Sequence, residues 1–170
     1  GLTFALMGLT DPLNTFHSLI GPRYEKDSSY FGDVATVLEQ DGEPLEFERE
    51  WIARVRGTAV LVTRADAPGA TLYTVDFGPR LGDGEDPPAL VRILALTRTG
   101  EGSGDLAVRI RSHRAPEELE DLPVESLDGG ERNLGYLGWG APLQTDDAGL
   151  SIPLGPLGPG ATAEAALVLA

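Results

Sequence analysis

The chain has 170 residues, of which 13 are basic and 27 acidic, for a formal charge of −14. A field of that sign repels nucleic acid and anionic membrane surfaces, because both are recognised by neutralising phosphate. The absence of cysteine removes disulfides and thiolate metal sites, and no apolar run reaches the roughly 18 residues that a membrane-crossing helix needs.

The first ten residues are apolar but lack a basic flank and a cleavage-type ending, so they read as a strand and not a signal. With 22 Gly and 13 Pro the chain is punctuated too often for long helices. Strands are expected over residues 2–9, 34–39, 51–55, 59–64, 71–76, 89–96 and 106–112, with weaker ones over 134–139, 150–153 and 163–169. Before the second of these, His17 is a polar residue in an apolar neighbourhood (Asn14-Thr15-Phe16-His17-Ser18), a candidate for the lining of a cleft. Asp41-Gly42 between two β runs is a strong hairpin signal. In the run that follows, Trp51, Ala53 and Val55 alternate with Ile52 and Arg54, which predicts that Trp51 faces the core.

Ala67-Pro68-Gly69-Ala70 marks a second tight turn. Asp76 ends the next apolar run, where its expected role is to accept backbone N–H groups from the following turn. A polar connection over 82–88 leads to a run whose blurred alternation, Leu90 to Leu96, suits the centre of a sheet. The glycine-rich stretch from Gly100 to Gly104 lacks the Gly-x-Ser-x-Gly pattern and reads as a loop. In the strand after it, Leu106, Val108 and Ile110 should face inward and Arg109 and Arg111 outward, and His113 continues onto the surface. Within the connection over 115–133, residues 116–123 form the one helix-like stretch. Tyr136 and Trp139 then sit among glycines, which suits exposed or interfacial rings, and the Pro- and Gly-rich residues 153–160 read as a loop between the last strands.

Short strands at intervals of about 8–12 residues predict an all-β, antiparallel β-sandwich of about ten strands, supersandwich-like and with little helix. One domain over residues 1–170 is expected, with enough core to stand without staples. Its opening on Gly1 and its apolar end at Ala170 suit a piece of a longer chain, and the expected location is the cytoplasm. No complete active site emerges. The two His residues form no metal-binding pair, the acidic stretch over 83–86 lacks a calcium ligand ladder, and no phosphate-cradling loop with Lys is present. No catalytic residue, metal ligand or cofactor is therefore assigned, and the candidate binding residues are His17, Tyr136 and Trp139.

The runs Thr71 to Arg80, Leu90 to Leu94 and Gly104 to Ile110 contain Asp76-Phe77-Gly78-Pro79 at a strand end and Val91-Arg92 in the next strand. This block resembles the N-terminal β-sandwich of the glucoamylase-like and trehalase-like glycoside hydrolases. The resemblance implies a non-catalytic accessory domain that packs against a separate (α/α) helical barrel. The catalytic carboxylates of those families lie on that barrel, so none is carried over onto this chain. The expected partners are such a barrel or another protein domain, with carbohydrate as a candidate ligand and no nucleic acid or membrane. One alternative is a free-standing carbohydrate- or protein-binding sandwich, for which Trp139, Tyr136 or Tyr73 in a row on one exposed face would speak. The other is a small sugar-processing enzyme in which His17 works with a carboxylate.

Overall fold

The computed structural model describes residues 4–7, 15–20, 32–79, 89–112, 124–125, 131–132, 136–146 and 149–169. Two antiparallel sheets face each other. Sheet A runs β1(Phe4–Met7), β2(Thr15–Ile20), β3(Gly32–Gln40), β9(Asp105–Ser112), β14(Gly149–Pro156) and β13(Gln144–Asp146), with the short β4(Glu43–Pro44) also paired to β3. Sheet B runs β12(Tyr136–Trp139), β15(Thr162–Leu169), β8(Leu90–Arg98), β7(Ala70–Phe77), β6(Leu61–Ala67) and β5(Arg49–Arg54). A separate two-stranded pair joins β10(Val124–Glu125) to β11(Glu131–Arg132). The described residues hold no helix and so none able to cross a membrane.

The expected sandwich is the observed one, with more strands than the pattern predicted. The additional strands are β2, which carries His17, and the short β4, β10, β11 and β13, all too brief or too weakly alternating to stand out from loop sequence. The run expected over 59–64 begins at Leu61 and continues to Ala67. The helix-like stretch 116–123, the acidic stretch 83–86 and His113 lie outside the described residues.

Turn chemistry sets the registers. Asp41 and Gly42 have φ of 53° and 83°, the double left-handed geometry of a type I′ hairpin, and Gln40 pairs with Glu43 across it. The Asp41 carboxylate then accepts from the Asp105 N–H at 2.9 Å, pinning the start of β9 to this turn. At the second turn Pro68 and Gly69, with φ of 74° at the glycine, close β6 on β7 so that Ala67 meets Ala70. The expected loop over 153–160 is shorter than its composition suggested. Pro153 and Pro156 belong to β14, with a register shift between Pro153 and Gly155. Proline is tolerated there because β13 pairs only with residues 149–151, so the far side of β14 needs no further N–H donors.

The core lies between the sheets. Sheet A contributes Val34, Leu38, Leu106, Val108, Ile110, Leu150 and Ile152; sheet B contributes Leu72, Leu94, Leu96, Ala165, Leu167 and Leu169. The alternation read in β9 holds, with Leu106, Val108 and Ile110 buried while Arg111 is exposed. β8 is central, as its blurred pattern suggested, with β15 on one side and β7 on the other.

Among these apolar side chains sits an ion pair. Arg92 of β8 and Asp76 of β7 are register partners, and the guanidinium grips both carboxylate oxygens, Nε to Oδ1 at 2.7 Å and Nη2 to Oδ2 at 3.0 Å. Their side chains are 1% and 2% exposed. Arg92 also donates through Nη1 to the Thr36 hydroxyl, which belongs to β3 in the opposite sheet. From its place at a strand end Asp76 was expected to accept turn N–H groups; among the described residues it is the anchor of an arginine. The reason is parity: Asp76 lies two residues from Thr74 and four from Leu72, all on the buried face of β7.

Breaking a buried pair from one side leaves the other charge desolvated and unmatched. Asp76→Ala is accordingly expected to cost about 3–5 kcal/mol, whereas replacing both residues, Asp76→Leu with Arg92→Met, should cost much less. Urea denaturation of the two variants beside the parent checks this; equal losses would show that the charge plays no part.

Candidate functional site

The pairing registers align the outward side chains of sheet B into four rows across its strands. The first is Arg49, Asp66, Thr71, Thr97 and Thr162, and the second is Trp51, Arg64, Tyr73, Ala95 and Glu164. The third is Ala53, Val62, Val75, Ile93, Ala166 and Trp139. The fourth holds Val55, Phe77, Val91, Val168 and Leu137, with Val55 closed onto Val60 by an N–H···O bond of 2.9 Å. Half of this face is polar and aromatic, and half is wholly apolar.

The apolar half is partly open to solvent: Val62, Val75, Phe77, Val91 and Val168 are half-buried and Ala166 is buried, while four residues stand out. Trp139 is 70% exposed, Leu137 62%, Val55 46% and Ile93 37%. A strand face so rich in β-branched side chains has high β propensity. The charges on the whole face are Arg49, Arg64, Asp66 and Glu164, two of each sign, in a molecule whose formal charge is −14.

The second row is organised around Arg64. Its guanidinium lies over the Tyr73 ring, 5.7 Å from the centroid, and its Nε donates to Asp66 Oδ1 at 2.8 Å. The Thr71 hydroxyl donates to the same oxygen at 2.8 Å. The hydrogen bonds from Arg64 and Thr71 hold the Asp66 carboxyl below the ordinary aspartate value, against a smaller opposing effect of desolvation. The hydrogen bond to Asp66 in turn raises the Arg64 guanidinium.

Trp51 belongs to this outer face. It is 40% exposed, which overturns the expectation that it points into the core. The period of β5 was read correctly and its sense was not. β5 is the edge strand of sheet B, and the face bearing Trp51 is the one turned away from the opposite sheet. Trp139, by contrast, is exposed as its glycine-rich surroundings suggested. The sequence candidates lie on strands of both sheets. His17 lies on β2, paired with Leu6 in sheet A, and Tyr136 lies on β12, paired with Leu169; the side chains of both lie outside the described residues. What sequence reasoning missed is the outward apolar group of Val75 and Ile93 in the third row and Phe77 and Val91 in the fourth, which reads as core because it is apolar.

On the outer side of sheet A, Glu39 accepts from Arg109 Nε at 2.7 Å, a strand-to-strand pair whose side chains are largely buried. Among the described residues no group of three or more His, Cys, Asp or Glu is placed to hold a metal ion. No protein-family model matches the chain, and neither a curated protein nor a solved structure matches it at a significant level.

Two outcomes follow for the second row. Trp51→Ala should cost about 1 kcal/mol or less in a denaturant titration, the range for exposed positions, against about 3–5 for a core aromatic. A loss of the larger size would mean that the ring is covered in solution. Because the Asp66 carboxyl is depressed in the fold, its contribution to stability is complete above the ordinary aspartate range and is lost as pH falls through the lower folded value. An NMR titration of the Asp66 side chain should therefore find a depressed midpoint that Arg64→Met moves upward; an unmoved midpoint would remove Arg64 as the cause.

Proposed function

We propose that this chain is a non-catalytic β-sandwich module that acts by docking protein through the outer face of sheet B. The observation that carries the reading is the apolar half-face, with Trp139 70% and Leu137 62% exposed in register with Ile93, Val91 and Val168. Two-sided apolar sheets in a water-soluble setting are covered on both sides or serve as interfaces. Local neutrality supports the same reading, since depletion of net charge lowers the desolvation cost of contact.

The resemblance to the glucoamylase-like and trehalase-like sandwiches supplies the wider setting: an accessory domain of a carbohydrate-active enzyme of glycosidase type, with the catalytic carboxylates on a different domain. The residues that carry the resemblance are interlocked in the fold, Asp76 paired with Arg92 and Phe77 with Val91, which supports a common structural reason for the motif. A second reading is favoured by the polar row. Trp51 beside the Arg64–Asp66 pair offers a flat ring and oriented hydrogen-bonding groups, the combination that recognises a pyranose.

A fluorescent apolar dye such as anilinonaphthalene sulfonate separates these. At low protein concentration the folded chain should enhance its emission, and Ile93→Lys together with Leu137→Lys should abolish most of that enhancement while the thermal midpoint holds. Dye indifferent to the intact chain would overturn the docking reading. Calorimetric titration with soluble gluco-oligosaccharides should give no saturable heat; binding lost in Trp51→Ala would replace docking by sugar recognition.

A further inference from the structure

We propose that the partner of the outer face of sheet B is a second copy of this chain, packed face to face about a two-fold axis that runs along the strands between β7 and β8. The proposal rests on the docking reading and adds the identity of the occupant. Its basis is self-complementarity in the registers. A two-fold axis in the plane of contact and parallel to the strands carries each strand to the mirrored position across the sheet and leaves each row at its own height. In the order β5, β6, β7, β8, β15, β12, it sets β5 over β12, β6 over β15 and β7 over β8 of the second copy.

Row by row, the partners then match. In the second row Arg64 meets Glu164, and by symmetry Glu164 meets Arg64, so the operation makes two opposite-charge contacts, while Tyr73 meets Ala95. In the third row Trp139 meets Ala53, Val62 meets Ala166 and Val75 meets Ile93, the largest ring falling over one of the smallest side chains. In the fourth row Leu137 meets Val55 and Phe77 meets Val91. The first row sets Thr71 on Thr97 and Asp66 on Thr162. No like charges are opposed in any row. An axis across the strands would instead invert the rows, laying the polar first row on the apolar fourth, so only the strand-parallel axis keeps like with like.

Five strand spacings of about 4.8 Å and three row intervals of about 6.8 Å make a footprint of about 24 by 20 Å, about 480 Å2 on each copy. That is below the roughly 800 Å2 per partner of a standard interface and suits a weak, concentration-dependent dimer. The occupant is chosen by charge as well. A copy of this chain brings a face of two Arg and two acidic residues to an identical one, so the contact zone is neutral although each molecule carries −14. Repulsion between the remaining charges is screened beyond about 8 Å at physiological salt.

Sedimentation of the full chain at about 0.15 M salt, from about 1 µM to about 1 mM, tests this. The expected result is a monomer–dimer equilibrium within that range. Ala53→Arg, which puts a long charged side chain beneath Trp139, should weaken dimerisation by about tenfold or more, and Glu164→Arg, which makes two Arg–Arg contacts, should do likewise. Adding Arg64→Glu to Glu164→Arg should restore the constant to within about threefold, a rescue that mere damage to the fold would not produce. Circular dichroism melts of each variant serve as the folding control. A monomer throughout the range, or a dimer indifferent to Ala53→Arg and Glu164→Arg, overturns the proposal. A monomer whose outer face still binds the apolar dye leaves the docking reading standing and assigns the face to a different protein; a monomer that ignores the dye removes both.

Discussion

Arg92 ties the sandwich together. Its guanidinium is held on both oxygens of Asp76 within sheet B and reaches Thr36 in sheet A, so a single side chain is bonded to both layers of the core. Burying such a charge is costly unless every donor is matched, and the bidentate carboxylate is the partner geometry that guanidinium matches best. Apolar contacts between sheets tolerate sliding, whereas a bidentate pair plus a cross-sheet hydrogen bond does not. The relative placement of β3, β7 and β8 is therefore specified at one point, and the alternating apolar residues of β9, β14 and β15 pack around it.

Placing Asp76 and Arg92 inside has a consequence outside. Strand parity is strict, so the residues between and beside them, Val75, Phe77, Val91 and Ile93, are forced onto the opposite face. The inner face of this end of sheet B is polar where a core should be apolar, and the outer face is apolar where a surface should be polar. Both anomalies have one cause. The outer face thereby becomes a surface with little charge to desolvate, bordered by an ordered polar row in which Asp66 aligns Arg64 over Tyr73. The functional reading and the structural anchor are two sides of the same strands.

Much of this was legible locally. Asp41-Gly42 and Pro68-Gly69 specify their turn types through the φ values that only such residues accept readily, and both hairpins form as read. Leu106, Val108 and Ile110 announce the buried side of β9 because charged residues occupy the other side. Trp139 among glycines is exposed, as its setting implied. In β7 and β8 the same method had no purchase. Val75, Phe77, Val91 and Ile93 on one side face Asp76, Arg92, Leu94 and Leu96 on the other, and apolarity alone does not say which side is inward.

The sequence by itself determined the fold class, the positions of the main strands and the chemistry of the tight turns, because these depend on period-2 alternation and on backbone preferences within a few residues. Only the tertiary structure decided which face of each sheet is covered. Trp51 and Ile52 alternate as clearly as Leu106 and Ala107, yet β5 is an edge strand whose aromatic side turns away from sheet A. Likewise Asp76 and Arg92 are 16 positions apart and become partners solely through the β7–β8 register, with Thr36, 56 positions from Arg92, supplied by the other sheet. Burial, charge pairing and the exposed apolar face all follow from where one layer lies over another, and that is set by contacts between residues distant in the chain.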